Sequence, residues 1–169
     1  ILKGFGMNLL FHDLHHHPEM LEIGEYLPLD ELCRRSDIIT IHCPLTPSTK
    51  HMINDEIIAH MKPNVMLINT SRGALVNTEA LIRGIRAGKI GSVGLDVYEN
   101  ERGIFFENRE HTIIQDEVFT QLLSFHNVLI TGHQAFFTAE ALENIAGSVA
   151  QTFEQFIAGQ PLINEIEIN

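Results

Sequence analysis

Five short apolar runs in this chain end at residues able to do chemistry. After Asn8–His12 comes Asp13; after Asp37–His42 come Cys43 and Pro44; Val65–Asn69 leads into Thr70, Ser71, Arg72 and Gly73. Ile90–Leu95 leads into Asp96, then Glu99 and Glu101, and Asn127–Thr131 into Gly132 and His133. In an open parallel sheet, ligands bind beyond the carboxyl ends of the strands, so these residues converge on one edge. An arginine followed by glycine at such an end can grip a carboxylate bidentately. A histidine there can donate a proton near neutral pH if an acid orients it. A carboxylate closing the first run can accept both hydroxyls of an adenosine ribose and repels a 2′-phosphate, favouring NAD over NADP.

Taken singly, each residue has a plainer reading. Asp13 suits a turn before Pro18, Arg72 a surface salt bridge, and Glu99 and Glu101 a solvated acidic loop. His133 is one of 10 histidines, so its position carries more than its identity. His12, His15, His16 and His17 crowd the start without a coherent ligand set, so no metal site is expected. Gly4-Phe5-Gly6 precedes a strand instead of following one, and the Gly-x-Gly-x-x-Gly fingerprint is absent from the sequence.

The runs are nearly continuous, as strands buried on both faces of a parallel sheet would be. Between them lie helix candidates with recognisable ends. Pro28–Arg35 finishes on basic residues, Asn54 caps a segment that stops before Pro63, and Asn77–Gly88 has its glycine at the carboxyl end. The longest runs from Thr138 to about Ile157, with Ala141, Leu142, Ile145, Val149, Phe153 and Phe156 on one stripe. Strand–helix alternation of this kind predicts a Rossmann-like, doubly wound α/β sheet. Tyr98–Gln115 exceeds ordinary connection lengths and reads as functional or mobile.

Composition narrows the class. The 169 residues carry 11 Lys+Arg against 22 Asp+Glu, a net charge of −11, and 44% are hydrophobic. Disorder is excluded, and an acidic balance argues against nucleic acid or an anionic membrane as partner. No apolar run reaches the roughly 20 residues of a membrane span. Two cysteines make no disulfide framework, so a cytoplasmic, reducing setting is the default.

Asn69–Val76, Gly94–Glu101 and Gly132–Phe136 resemble, in order and spacing, the signatures of the D-isomer-specific 2-hydroxyacid dehydrogenases. His42–Pro47 resembles that family's strand-end segment beside the cofactor, and the lactate-forming members match Asp96–Glu101 and His133–Leu142 best. The resemblance implies NADH-dependent reduction of pyruvate to D-lactate, or of another 2-oxo acid. A regulatory protein that keeps the fold and senses NAD is the reading from a different class. By the same resemblance Arg72 is the substrate arginine, His133 the proton donor and Glu101 its partner. Asp13, Cys43, Pro44, Thr49, Thr70, Ser71, Arg72 and Asp96 would line the cofactor, and a homo-oligomer is implied. The family's first βα unit would precede Ile1, so a fragment with an incomplete site is expected. Residues 1–133 would then be a truncated NAD-binding domain, and 134–169 a helix and tail returning to the substrate domain.

Overall fold

Short polar side chains set where the helices begin. Asn54, Asn77, Asp116 and Thr138 each accept a backbone N–H from the following first turn, which satisfies a donor the helix cannot pair internally. The computed structural model describes residues 1–106, 108 and 113–166. Along it run β1 (Leu9–Phe11), α1 (Pro18–Leu21), β2 (Gly24–Tyr26), α2 (Leu29–Arg35), β3 (Ile38–Ile41) and α3 (Asp55–His60). Then come β4 (Val65–Asn69), α4 (Thr78–Arg86), β5 (Ile90–Leu95), α5 (Glu117–Leu123), β6 (Val128–Ile130) and α6 (Ala139–Ile157). The five apolar runs are strands, and the four helix candidates are α2, α3, α4 and α6. The α/β class with parallel strands is as the alternation predicts.

Three short elements, α1, β2 and α5, carry no periodic apolar signal long enough to read from sequence. β2 is only Gly24-Glu25-Tyr26, and its central residue is exposed. The strands form two parallel sheets, β1–β2 and β3–β4–β5–β6. The chain forms two compact units, Ile1–His133 and Gln134–Asn169, and α6 lies wholly in the second. Leu2–Phe5 is a short 3-10 turn. Within Tyr98–Gln115 the structure has a 3-10 turn at Glu101–Gly103, and residues 107 and 109–112 lie outside the described set.

Taken by itself, this chain buries one face of its four-stranded sheet. In register, Ile39, Leu67 and Val93 form one buried row, and Ile41, Asn69 and Leu95 a second. The helices α2, α3, α4 and α5 pack in sequence as one layer, and their Leu32, Ile58, Leu81, Ile85 and Leu122 share a single apolar cluster with those rows. The intervening residues turn the other way: Ile38 is 46% exposed, Met66 37% and Leu129 68%. One helical layer covers one face, so burial alternates although the sequence does not.

Candidate active site

Backbone hydrogen bonds lash three strand ends together. Asp96, just past β5, donates its N–H to the Asn69 carbonyl at the end of β4 (2.9 Å), and His133 beyond β6 donates to the Asp96 carbonyl (2.7 Å). Asn69 is buried to 1% exposure, and its side chain closes the following turn from inside. Its Oδ1 accepts from Ser71 N (3.0 Å), and its Nδ2 donates to the Arg72 carbonyl (2.9 Å). Ser71 Oγ donates to the Cys43 carbonyl (2.7 Å), which adds the end of β3 to the same edge. Cys43, Ser71, Arg72, Asp96 and His133 therefore lie along one edge of the four-stranded sheet, while Asp13 ends β1 in the two-stranded one.

His133 Nδ1 donates to Glu101 Oε1 at 2.9 Å, and Glu101 Oε2 accepts the N–H of Tyr98 at 3.1 Å. Glu101 is thus held by its own loop while it holds the imidazole. With Nδ1 engaged, Nε2 is the nitrogen left to exchange a proton with a ligand. The His133 backbone is left-handed, φ 52°, a region non-glycine residues visit at some cost and mostly at functional sites. Arg72 is exposed; its Nη1 donates to the Ser71 carbonyl at 2.8 Å, leaving most of the guanidinium fork for a ligand.

Asp13 follows β1, is exposed, and accepts the His15 N–H through Oδ1 (2.9 Å). That hydrogen bond, with the nearby His15 and His17, holds its carboxyl below the usual range despite a small opposing desolvation. The turn reading of Asp13 and the ribose reading are therefore compatible. Burial, and to a lesser degree the negative charge of Asp13, pushes the Cys43 thiol up. An anionic acceptor beside an uncharged thiol fits a ribose diol and disfavours a 2′-phosphate. Pro44 and Thr70 are exposed at the same strand ends. Thr49 instead folds its loop: Oγ1 donates to the Pro44 carbonyl (2.7 Å) and accepts from Thr46 N (2.8 Å). Asp96 is buried to 4% exposure and accepts from Thr131 Oγ1, so its side chain also braces the edge.

Two residues without an assigned role in the sequence reading occupy this region. Asn69 interrupts an apolar run at its last position, and a polar residue there is the signal that could have marked it. His51 lies in an unremarkable loop, and its Nε2 bonds to Glu99 Oε1 at 2.5 Å across 48 positions. Nothing local announces it.

The site can now be set beside known proteins. Residues 1–135 match the family model described as D-isomer specific 2-hydroxyacid dehydrogenase, NAD binding domain. The D-lactate dehydrogenase of Escherichia coli is 49% identical over 167 residues, which cover 98% of this chain and 51% of that protein. Among solved structures, a D-lactate dehydrogenase of Treponema pallidum superposes with TM-score 0.92 at 33% identity, over 98% of this chain and 50% of that one. The Aquifex aeolicus D-lactate dehydrogenase complexed with NAD and lactic acid gives 0.86 at 35%, over 98% of this chain and 52% of that one. The chain thus spans about half the length of these relatives. With residues 1–135, most of its length, matching that model, the chain belongs to the D-isomer specific 2-hydroxyacid dehydrogenases and carries their NAD-binding domain.

Proposed function

We propose that the protein carrying this chain reduces a small 2-oxo acid, pyruvate first among them, to the D-2-hydroxy acid at the expense of NADH. The observation that carries this reading is the His133–Glu101 hydrogen bond at a strand-end edge that also bears Arg72. Bound NADH supplies the hydride that reduces C2 of the keto acid. Arg72 grips the substrate carboxylate, a bidentate task that lysine would do poorly. Protonated His133 passes the Nε2 proton to the keto oxygen as negative charge develops there, and is left as neutral imidazole. Glu101 keeps the ring oriented through Nδ1. Asp13 would hold the adenosine ribose, while Cys43, Pro44, Thr70, Ser71 and Asp96 would line the path toward the nicotinamide. Thr49 would act by shaping the loop beside Pro44. Residues from Gln134 onward would belong to the substrate-binding half, which agrees with relatives about twice as long.

The test is turnover of pyruvate and NADH by the protein carrying the chain, with and without His133→Ala. A general acid contributes roughly 10²–10⁴-fold. The variant is expected to lose that much kcat while still binding NADH. A loss under about tenfold would remove His133 from the role, and NADH binding without reduction of any 2-oxo acid would favour a sensing protein.

A further inference from the structure

Glu99 and Glu101 stand two residues apart, and each engages a histidine. Glu101 engages His133, which the proposed reaction uses. Glu99 engages His51, which it does not use. Both histidines have left-handed backbones, φ 53° at His51 and 52° at His133, and among the described non-glycine residues only Asn64 joins them. Such conformations persist where surrounding contacts over-determine them.

Three segments meet at the His51–Glu99 pair. His51 N donates to the Ala74 carbonyl (2.8 Å), Ile53 N to the Leu75 carbonyl (3.1 Å), and Asn77 N to the Ile53 carbonyl (2.9 Å). Residues 51–53 therefore run along the stretch that immediately follows Arg72, with Ile53 bridged to Val76. On the other side, Glu99 Oε1 bonds to His51 Nε2, while Oε2 accepts from Thr78 Oγ1 (3.0 Å) at the first turn of α4. Gly73 closes the triangle, because its backbone touches the backbone of Tyr98 and Glu99. The segment 98–101 thus ties the Arg72 turn at one acid and His133 at the other.

Resting on the proposed function, we infer that His51 is a positioning residue: through Glu99 it fixes where Arg72 stands relative to His133. The separation of a carboxylate grip from a proton donor decides whether a bound 2-oxo acid lies in a reactive pose, and a displacement of about 1 Å can cost on the order of 100-fold. In the proposed reaction His51 acts on neither substrate nor cofactor directly, and the adenosine end would be held elsewhere, by Asp13.

The experiment compares the protein carrying the chain with its His51→Ala and His51→Gln forms. Activity is scanned first for the unaltered protein against a panel of 2-oxo acids. His51→Ala is expected to lower kcat/KM for the 2-oxo acid roughly 10- to 100-fold, with NADH Kd within about twofold. His51→Gln, whose amide can still donate to Glu99, should recover activity to within about threefold of the original. If His51→Ala does not fold, Thr78→Val removes the other side-chain donor to Glu99, leaving only the Thr78 N–H at 3.4 Å, and is expected to lower kcat/KM more than about threefold with NADH Kd unchanged. An unaltered protein that reduces no 2-oxo acid refutes the proposed function, and the role of His51 with it. An active protein refutes the role of His51 alone under any of three outcomes: His51→Ala, or Thr78→Val in its place, keeps kcat/KM within about threefold; NADH binding falls in parallel; or His51→Gln is as impaired as His51→Ala.

Discussion

Gly73 fixes how closely the Arg72 turn approaches the acidic segment. A β-carbon there would meet the Tyr98 carbonyl carbon at 2.1 Å and the Glu99 nitrogen at 2.4 Å, both backbone atoms that cannot rotate away. Gly73→Ala is therefore expected to cost about 1–3 kcal/mol of stability, as overpacking does, and to depress kcat/KM by moving Arg72. Denaturant melts and turnover on one preparation check both, and unchanged values would mean the two backbones part freely. At this scale the sequence was legible unevenly. Arg72 and His133 could be singled out because lying just past a strand end is a property of one stretch of chain, whereas Glu101 was told from Glu99 and Asp96 only by the family resemblance. The tasks of Gly73 and His51 depend on partners many positions away, and no local pattern encodes those.

Among the elements, α2 bears a clean electrostatic signature. Its Cys33 is fully buried against the sheet, and burial pushes the thiol from about 9 up to about 11. Below pH 9 the thiol is protonated whether the chain is folded or not, and its contribution to stability is fully present. As pH rises from there to about 11, the unfolded chain ionises while the folded one resists, so stability is lost in that window. The unfolding free energy from urea melts is expected to fall between pH 9 and about 11, with a slope approaching ~1.4 kcal/mol per pH unit from this group. Cys33→Ala should flatten that slope, and equal slopes would remove Cys33 as its cause. The helices α2, α3, α4 and α6 were legible because terminal residues and apolar spacing are local. By contrast, α1 and β2 are four and three residues long, and α5, although capped by Asp116, follows the long Tyr98–Gln115 stretch with only seven residues to show a period.

Across the chain as a whole, the apolar runs exceed what its own helices cover. Ile38, Met66 and Leu129 belong to continuous runs, yet they line the sheet face that the α2–α5 layer leaves open. A run records what a strand can bury; which neighbours arrive to cover it is a separate matter. The net charge of −11 on this chain opposes an anion, so in the proposed function Arg72 would have to draw the 2-oxo acid against that field. Among the described strands every pairing is parallel, and this constrains the order of assembly. No parallel ladder can be closed by a two-residue turn. Val65 finds Ile90 and Asn69 finds Leu95 only after α4 has carried the chain back across the sheet. Loop closure must precede the reward of pairing, so a preformed α4 should lower the barrier. Asn77→Ala, which removes its cap at about 1 kcal/mol, is then expected to slow refolding in stopped-flow experiments more than it speeds unfolding. An effect confined to the unfolding limb would mean that β4 and β5 join first. Refolding would then proceed crossover by crossover, each strand waiting on the helix that returns it.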